Sequence, residues 1–467
     1  GACSSNSTPT NALCSNVTAP CVSFPAGTTE SAIDTAIAGA AAGTTFVFDI
    51  GTFNFTGTLA LPAVSGLTIN GQGIGTTILN FSGQTSGTAG ISAILGNSNL
   101  TFSKFTIQNT PGDGIKVQGA TGVVFRTVQA TWTSTNVLTH GAYGLYPVQS
   151  QDVLVTGCQV SGARDTGIYV GQSFNIIVSN NMVHDNVAGI EIESSVNADV
   201  VGNTSTNNSG GILVFALPGL LPAFDAGTAN DACENVRVYS NTINANNTAN
   251  FGDPSGTVAA VPGGTGVVVL ASSNVEIFGN TITNNDSLGV AVAAYFVIDQ
   301  TFDPTSPTDN PTGMNPVPNN IYVHDNTFSG NGGQPIAQNQ APDGGTSTNI
   351  LGQLLGGLLL EGGFVSTNNA VPDMIWDGID ITVAQGGTYT PPAPPVCATC
   401  AGTPADPVNY FIEGNGAAKF ADLNFINIQS SPGVLDTTAI AFYAVPFQVT
   451  TPPAGFPLPG VDAGLIP

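Results

Sequence analysis

The chain has 467 residues, 58 of them Gly and 31 Pro, and only 8% are charged, against about 25% in ordinary globular proteins. Six Lys and Arg against 30 Asp and Glu give a formal charge of −24, which excludes a nucleic-acid partner and an anionic membrane surface, since both need clustered basic residues. With 42% hydrophobic residues the low charge does not signal disorder, and no apolar run is long enough to span a bilayer.

Residues 1–24 form a polar N-terminal segment. The chain starts at Gly1 without Met, as a mature form that has lost a signal peptide does. "GACSSNSTPTN" (1–11) also matches the end of a bacterial lipoprotein signal, with Cys3 as the acylated residue. Both readings place the protein outside the cell or on its outer surface. Cys14 and Cys21 bracket a six-residue loop, and Cys397 and Cys400 form a CxxC in "PPVCATCAGTP"; both pairs read as local disulfide clips. The CxxC has no following His and no second CxxC, so it is neither a haem nor a zinc site. The pairing of Cys3 and Cys233 stays open.

"TTESAIDTAIAGAAAGTTFVFDIGTFNF" (28–55) predicts a capped helix and then strands, the helix closing the open end of the strand array. From there one pattern recurs: "NLTFSKFTI", "GVVFRTVQA", "DVLVTGCQV", "NIIVSNNMV", "NVRVYSNTI", "NVEIFGNTI", "NIYVHDNTF". Between these lies a second strand, "GDGIKV", "AYGLYPV", "DTGIYV", "VAGIEI", "SGGILV", "GTGVVV", whose Gly falls at 114, 144, 167, 189, 211 and 266, and again at 289. Steps of 22 and 23 dominate, as one coil of a parallel β-helix requires. The expected fold is therefore all-β, a right-handed parallel β-helix over residues 25–332, with a C-terminal extension of irregular loops over 333–443 and a Pro-rich tail over 444–467.

Asn181, Asn203, Asn241, Asn280 and Asn326 share one slot of the repeat and predict an inward amide ladder; Cys158 shares that slot, so it reads as a buried thiol that does not reach Cys233. Loops interrupt the coils near 216–233, 247–264 and 298–319, and "LGQLLGGLLL" (351–360) reads as a helix laid on the solenoid.

The stretches "HGAYGLYPVQS" (140–150), "ARDTGIYVGQS" (163–173), "NVAGIEIESS" (186–195) and "NSGGILVF" (208–215) resemble a family of exported bacterial parallel β-helix repeat proteins, over roughly residues 25–430. More distantly the chain is similar in fold to pectate lyases and alginate epimerases. The closer resemblance implies export, lipidation in some members and a haem-containing exported partner. It carries no established activity, so it supplies no catalytic residue.

Alternation along the second strand puts Lys116, Tyr146, Tyr169, Glu191 and Leu213 in one outward row, with Glu193 beside Phe215 in the next. Aromatic rings beside carboxylates suit a sugar or a cation. Glu191 and Glu193 lie about 6.5–7 Å apart along a strand, the spacing of an inverting glycosidase pair, yet on one flat strand they flank nothing. They read more simply as a solvated, polar or cation-binding face. Lys116, Tyr146, Arg164 and Tyr169, with Glu191 and Glu193 and with His140 at the edge, form the candidate catalytic cluster; Arg164 and Asp165 also read as a local ion pair. His184 and His324 precede Asp in "VHDN", where turn hydrogen bonding is expected. Asp299, Asp303 and Asp309 are a candidate calcium loop, calcium being the only cofactor the sequence suggests.

The residues support two functional readings. A surface structural β-solenoid that self-associates accounts for the scarcity of catalytic residue types, for the apolar stretches "LGVAVAAYFV" and "LGQLLGGLLL" and for the ends packing on a neighbouring copy. A polysaccharide lyase, epimerase or hydrolase, or a glycan-binding module, would use the Lys116 to Phe215 face.

Overall fold

The computed structural model describes residues 12–18, 20–220, 233–341, 344–360, 370–379, 410–423, 441–443, 452–462 and 464. Cys3, Cys397 and Cys400 lie outside them.

The coil begins with Cys21–Phe24, tied to the preceding turn by a Cys14–Cys21 disulfide. The helix Glu30–Ala38 comes next, its first turn capped by the Thr29 hydroxyl and its inner face burying Ile33 and Ile37. Glu30 clamps the helix to the first coils, accepting from the Thr56 and Gly57 N–H groups at 2.9 Å each. From there the chain winds through three parallel sheets. The first stacks Val153, Ile176, Ala198, Val236, Val275 and Ile321 in register. The second is made of three-residue strands such as Met182–His184 and Thr204–Thr206. The third stacks Ile115, Leu145, Ile168, Ile190, Ile212 and Val267. Those residues are all inaccessible to solvent, so the solenoid interior is one continuous apolar column.

Each corner of the coil is made by two residues, the first left-handed and the second facing inward. Between the first and second sheets the left-handed position is Gly157, Asn180, Gly202, Ser240, Gly279, Asp325 and Gly414. The inward position after it is Cys158, then Asn181, Asn203, Asn241, Asn280, Asn326 and Asn415, whose amides bond one to the next at 2.9–3.1 Å. Each amide oxygen also takes the backbone N–H of the residue below it. A second ladder, Asn186, Asn208, Asn246, Asn285 and Asn331, runs down the next corner with the same geometry. At the third corner Ser150, Ser173, Ser195 and Ser272 take the inward place, Ser173 and Ser195 accepting from the coil below. Cys158 and Cys233 are separate, buried thiols on these corners.

The glycine that recurs before each third-sheet strand is there for want of room. A Cβ on Gly189 would come within 2.6 Å of the Gly211 carbonyl oxygen, and one on Gly211 within 2.5 Å of that of Gly266.

A second layer lies on the outside of the third sheet. The insertion after Asn246 lays Phe251, Val258 and Val261 on Leu213, Phe215, Leu270 and Ala293, forming a separate apolar cluster. The helix Ile350–Leu360 and the hairpin Gln338–Gln340/Thr346–Thr348 lie over this layer, the helix through Leu351, Leu354 and Leu355 and the hairpin through Asn339, which donates to the Ala259 carbonyl. On the first sheet the Pro-rich tail runs across the coils. Phe456 packs on Tyr322, the Leu458 N–H donates to Glu276 at 2.8 Å and the Val461 N–H to Asp199 at 3.2 Å. Five residues of extended, proline-rich chain cover about 15 Å and three coil rises about 14 Å, so tail and coils stay in step. The expectation that the tail packs on a neighbouring copy is corrected: it is held by its own solenoid.

Replacing Asn203 by Leu strands the Asn181 N–H and amide and the Val178 carbonyl inside the column. At about 1–3 kcal/mol for each buried polar group left unpaired, we expect a loss of roughly 3–5 kcal/mol in denaturant unfolding. A loss below about 1 kcal/mol would show that the ladder is not structural. Leu458→Asp, which puts a carboxylate among buried apolar groups beside Glu276, should cost about 2 kcal/mol or more and expose the tail to proteolysis.

Candidate functional site

The outward row of the third sheet runs Lys116, Tyr146, Tyr169, Glu191 and Leu213, with Glu193 paired to Phe215, as the alternation predicts. Its exposure does not match the prediction. Tyr169, Glu191 and Glu193 are 4%, 1% and 7% exposed, so they form no solvated face. The reason is the second layer: the insertion that carries Phe251 folds back over these strands, and its Phe251 carbonyl accepts from Arg164 Nε at 3.3 Å. Arg164 is thus spent on the covering loop rather than on Asp165.

What the row and its neighbours make is a polar depression with a buried floor and a half-buried rim. On the floor the Tyr169 hydroxyl donates to Glu193 at 2.5 Å and the Thr166 hydroxyl to Glu191 at 2.7 Å. The two glutamate carboxyls lie on one strand, two residues apart, and each opposes the other's ionisation. Burial first, and then the neighbouring carboxylates, push Glu191 well above the usual carboxylate range; burial raises Glu193 as well.

The rim holds Asp113, Lys116, Tyr143, Tyr146, Arg164 and Asp165, all half-buried. Tyr143 lies in register with Thr166, the residue after Asp165, and its ring packs beside Tyr146 and Tyr169 at the rim. The three tyrosine rings pack together, with centroids 4.4 Å apart for Tyr143 and Tyr146, 4.7 Å for Tyr143 and Tyr169, and 5.0 Å for Tyr146 and Tyr169. Lys116 Nζ sits 5.2 Å from the centre of the Tyr146 ring. Burial lifts the Asp113 carboxyl to about 6, against the opposing pull of Lys116 and the Tyr143 N–H. Burial lifts Asp165 to about 7, helped by the charges of Glu193 and Asp113 and opposed by the Thr166 and Tyr143 hydroxyls. Tyr146 is raised to about 12, again by burial and then by Asp113 and Glu193.

Of the residues the sequence singled out, the structure brings Lys116, Tyr146, Tyr169, Glu191 and Glu193 together and sets Arg164 on their margin. Sequence reasoning missed Asp113 and Tyr143 and assigned Asp165 only to a local ion pair. The signal that could have found them is positional: Asp113, Tyr143 and Thr166 each precede a column glycine, at 114, 144 and 167, and so stack in register. His140 is not a free base, since its ring nitrogens face the Gly162 and Ser134 carbonyls at 2.7 and 2.9 Å. His184 bonds Asp185, and His324 bonds both Asp325 and Glu276. In the candidate calcium loop Asp299 and Asp303 each cap a turn through the threonine two residues on, and Asp309 accepts from the Asp303 N–H. Among the described residues no three His, Cys, Asp or Glu side chains are placed to hold a metal ion.

A family profile described as a right-handed β-helix region matches residues 65–217. No curated protein matches. Similar solved structures include the AlgE6 A-module of mannuronan C-5 epimerase from Azotobacter vinelandii, 19% identical over 64% of this chain and 82% of that one, with a TM-score of 0.41. A Yersinia enterocolitica family 28 exopolygalacturonase is 13% identical over 64% and 63%, with a TM-score of 0.42. A tailspike protein of E. coli bacteriophage HK620, in complex with pentasaccharide, is 14% identical over 62% and 50%, with a TM-score of 0.37. At these values the likeness says nothing of the site's chemistry. Among the described residues no helix is long and apolar enough to cross a membrane.

The raised carboxyl groups give the folded protein a signed response to pH. A carboxyl whose folded value is raised binds its proton more tightly than in the unfolded chain. Its stabilising contribution is therefore full below the ordinary value of 3.8 and is lost as pH rises through the folded values of about 6 and 7. The melting temperature should fall between about pH 4 and pH 7, and Glu193→Gln should flatten that slope. A melting temperature that instead rises over the same interval would mean that these groups ionise freely.

Proposed function

We propose that the protein is an exported enzyme that cleaves a polysaccharide by acid–base catalysis at the rim of the third sheet, with Asp165 as the acid and Asp113 as the base. The observation that carries this reading is the carboxyl cluster itself: Asp113 and Asp165 are half-buried at the rim, beside the buried Glu191 and Glu193 and three packed tyrosine rings. Burial raises both Asp113 and Asp165, so each can hold or release a proton near neutral pH. They stand two coils apart, about 10 Å between their backbones at roughly 4.8 Å per coil, which leaves room for a sugar unit and a water.

The reaction balances with these groups alone. Asp165 gives its proton to the glycosidic oxygen as the C–O bond breaks, and a water attacks the anomeric carbon while its proton passes to Asp113. Glu191 and Glu193, sealed beneath, hold Thr166 and Tyr169 in place and keep the field around Asp165 negative, which favours its protonated form. The Cys14–Cys21 disulfide fits an oxidising compartment and so an exported protein. A self-associating structural role is the less favoured reading, because the apolar stretches and the tail that suggested it are engaged within the chain: "LGVAVAAYFV" as a third-sheet strand and the turn after it, "LGQLLGGLLL" in the layer over that sheet, and the tail on the first.

The test is turnover of a panel of neutral and acidic polysaccharides by the wild-type chain, Asp165→Asn and Asp113→Asn. We expect one substrate to be cleaved and each variant to lose about 100-fold or more of the rate. Equal rates in all three proteins, or binding without any cleavage across the panel, would sink the enzymatic reading, the second outcome in favour of a glycan-binding module.

A further inference from the structure

A groove of about 380 Å³ runs along the corner between the second and third sheets, beside the rim that carries Asp113 and Tyr143. Its lining reaches Pro111 and His140, which are two residues before Asp113 and three before Tyr143. The groove therefore ends within a few residues of Asp113 and Tyr143. Its inner wall is the stacked pair Trp132 and His140, whose centroids are 6.0 Å apart at 18° and which keep 9% and 8% of their surface exposed. The Trp132 ring is fixed by its N–H, which donates to the Thr110 carbonyl at 2.6 Å, and His140 by its two carbonyl contacts. These rings are thus positioned before any ligand arrives.

The polar part of the lining is uncharged. Hydroxyl and amide groups such as Ser82 and Ser134 stand at the exposed edge, and no Lys, Arg, Asp or Glu side chain lines the groove. Gln84 is 8% exposed, and its amide nitrogen donates to Thr58, Ser86 and Ala89. Gln84 thus braces the wall from behind, its amide held by the chain and its Oε1 buried away from the groove. A uronate carboxylate entering here would give up its water with no Lys or Arg to replace it, in a chain that carries −24 overall. A neutral pyranose meets the opposite situation, with ring faces for its C–H surfaces and neutral donors and acceptors for its hydroxyls.

We propose that this groove seats an uncharged sugar unit, so that the chain acted on at the Asp113 and Asp165 rim is a neutral polysaccharide rather than a polyuronate. The inference rests on the reading of that rim as a glycan site. It makes the groove the element that chooses the substrate.

The experiment uses the full chain in titration calorimetry with cellotetraose, xylotetraose and mannotetraose, and with tetragalacturonate and tetramannuronate. Ser82→Trp, a change at an exposed edge of the groove that leaves the column and the aspartates untouched, is the blocking variant; its melting temperature checks folding. We expect at least one neutral tetrasaccharide to bind saturably, the uronates at least 10-fold more weakly, and Ser82→Trp to weaken the neutral ligand at least 10-fold. Uronate binding as tight as neutral binding, no binding by any neutral ligand, or neutral binding that Ser82→Trp leaves unchanged would each overturn the proposal. Asp165→Asn separates this from the reading of the rim. Neutral binding that Ser82→Trp weakens, with no cleavage by wild type, upholds the groove and removes the acid–base role. Cleavage that Asp165→Asn abolishes and Ser82→Trp does not affect does the reverse.

Discussion

The corner of the coil is the constraint on which the molecule depends. A parallel coil of this size must turn sharply three times, and each turn frees backbone N–H groups that point into an apolar interior where an unpaired donor is costly. The chain meets this with a left-handed residue and then an inward Asn or Ser whose oxygen takes the N–H of the coil below. An asparagine can do more than a serine here, because its NH₂ bonds both a neighbouring backbone carbonyl and the next amide in the stack. Since every rung uses the rung above, the ladder fixes the coil spacing, and that spacing brings the glycine column so close that no side chain fits there.

With the corners fixed, the outer surface is free to vary, and it varies by insertion. The third sheet acquires a second layer, because the segments that interrupt the repeat near 247–264 and 350–360 carry the apolar residues that cover Leu213, Phe215 and Leu270. That layer stops short of the coils that carry Lys116 and Tyr146. The boundary between covered and open sheet therefore falls across the carboxylate cluster, with Glu191 and Glu193 beneath the cover and Asp113 and Asp165 at its margin. A carboxyl at such a margin feels the loss of water yet still meets solvent. Asp113, Asp165 and Glu191 are all raised by burial first, and the charges of neighbouring carboxylates add to the rise of Asp165 and Glu191.

Much of the solenoid was legible because the repeat is written into single residue types. The first amide ladder could be read from the steps of 22, 38, 39 and 46 that separate Asn181, Asn203, Asn241, Asn280 and Asn326. The second ladder repeats those same steps from Asn186 to Asn331 and was missed, since its members sit among "VHDN" and "TNNSG" turns where Asn is common for other reasons. The outward row was also legible, for strand alternation fixes which residues share a face. Alternation cannot say what covers that face. The insertion carrying Phe251 has no period, and its landing place depends on contacts with residues more than sixty positions away, such as Val187. So Glu191 and Glu193 were placed correctly in the row and wrongly in solvent, and the tail was assigned to a neighbour rather than to Asp199 and Glu276.

The scarcity of charge gives the site its weight. With six cationic side chains in 467 residues, Lys116 and Arg164 already account for two of them, and Asp113, Asp165, Glu191 and Glu193 for four of the 30 acids. A solenoid surface needs none of these to stay soluble at this spot, because threonine and asparagine hydroxyls and amides clothe the rest of it. Four carboxyl groups in one depression cost stability at neutral pH, since burial and mutual repulsion both oppose their ionisation. A fold that avoids charge nearly everywhere has no structural use for that cost, and Thr166 and Tyr169 are placed to sustain it by hydrogen bonding rather than to relieve it with a cation. An arrangement that holds protons in reach of neutral pH, beside a groove free of charge, is suited to moving a proton on an uncharged substrate. It is poorly suited to gripping an anion.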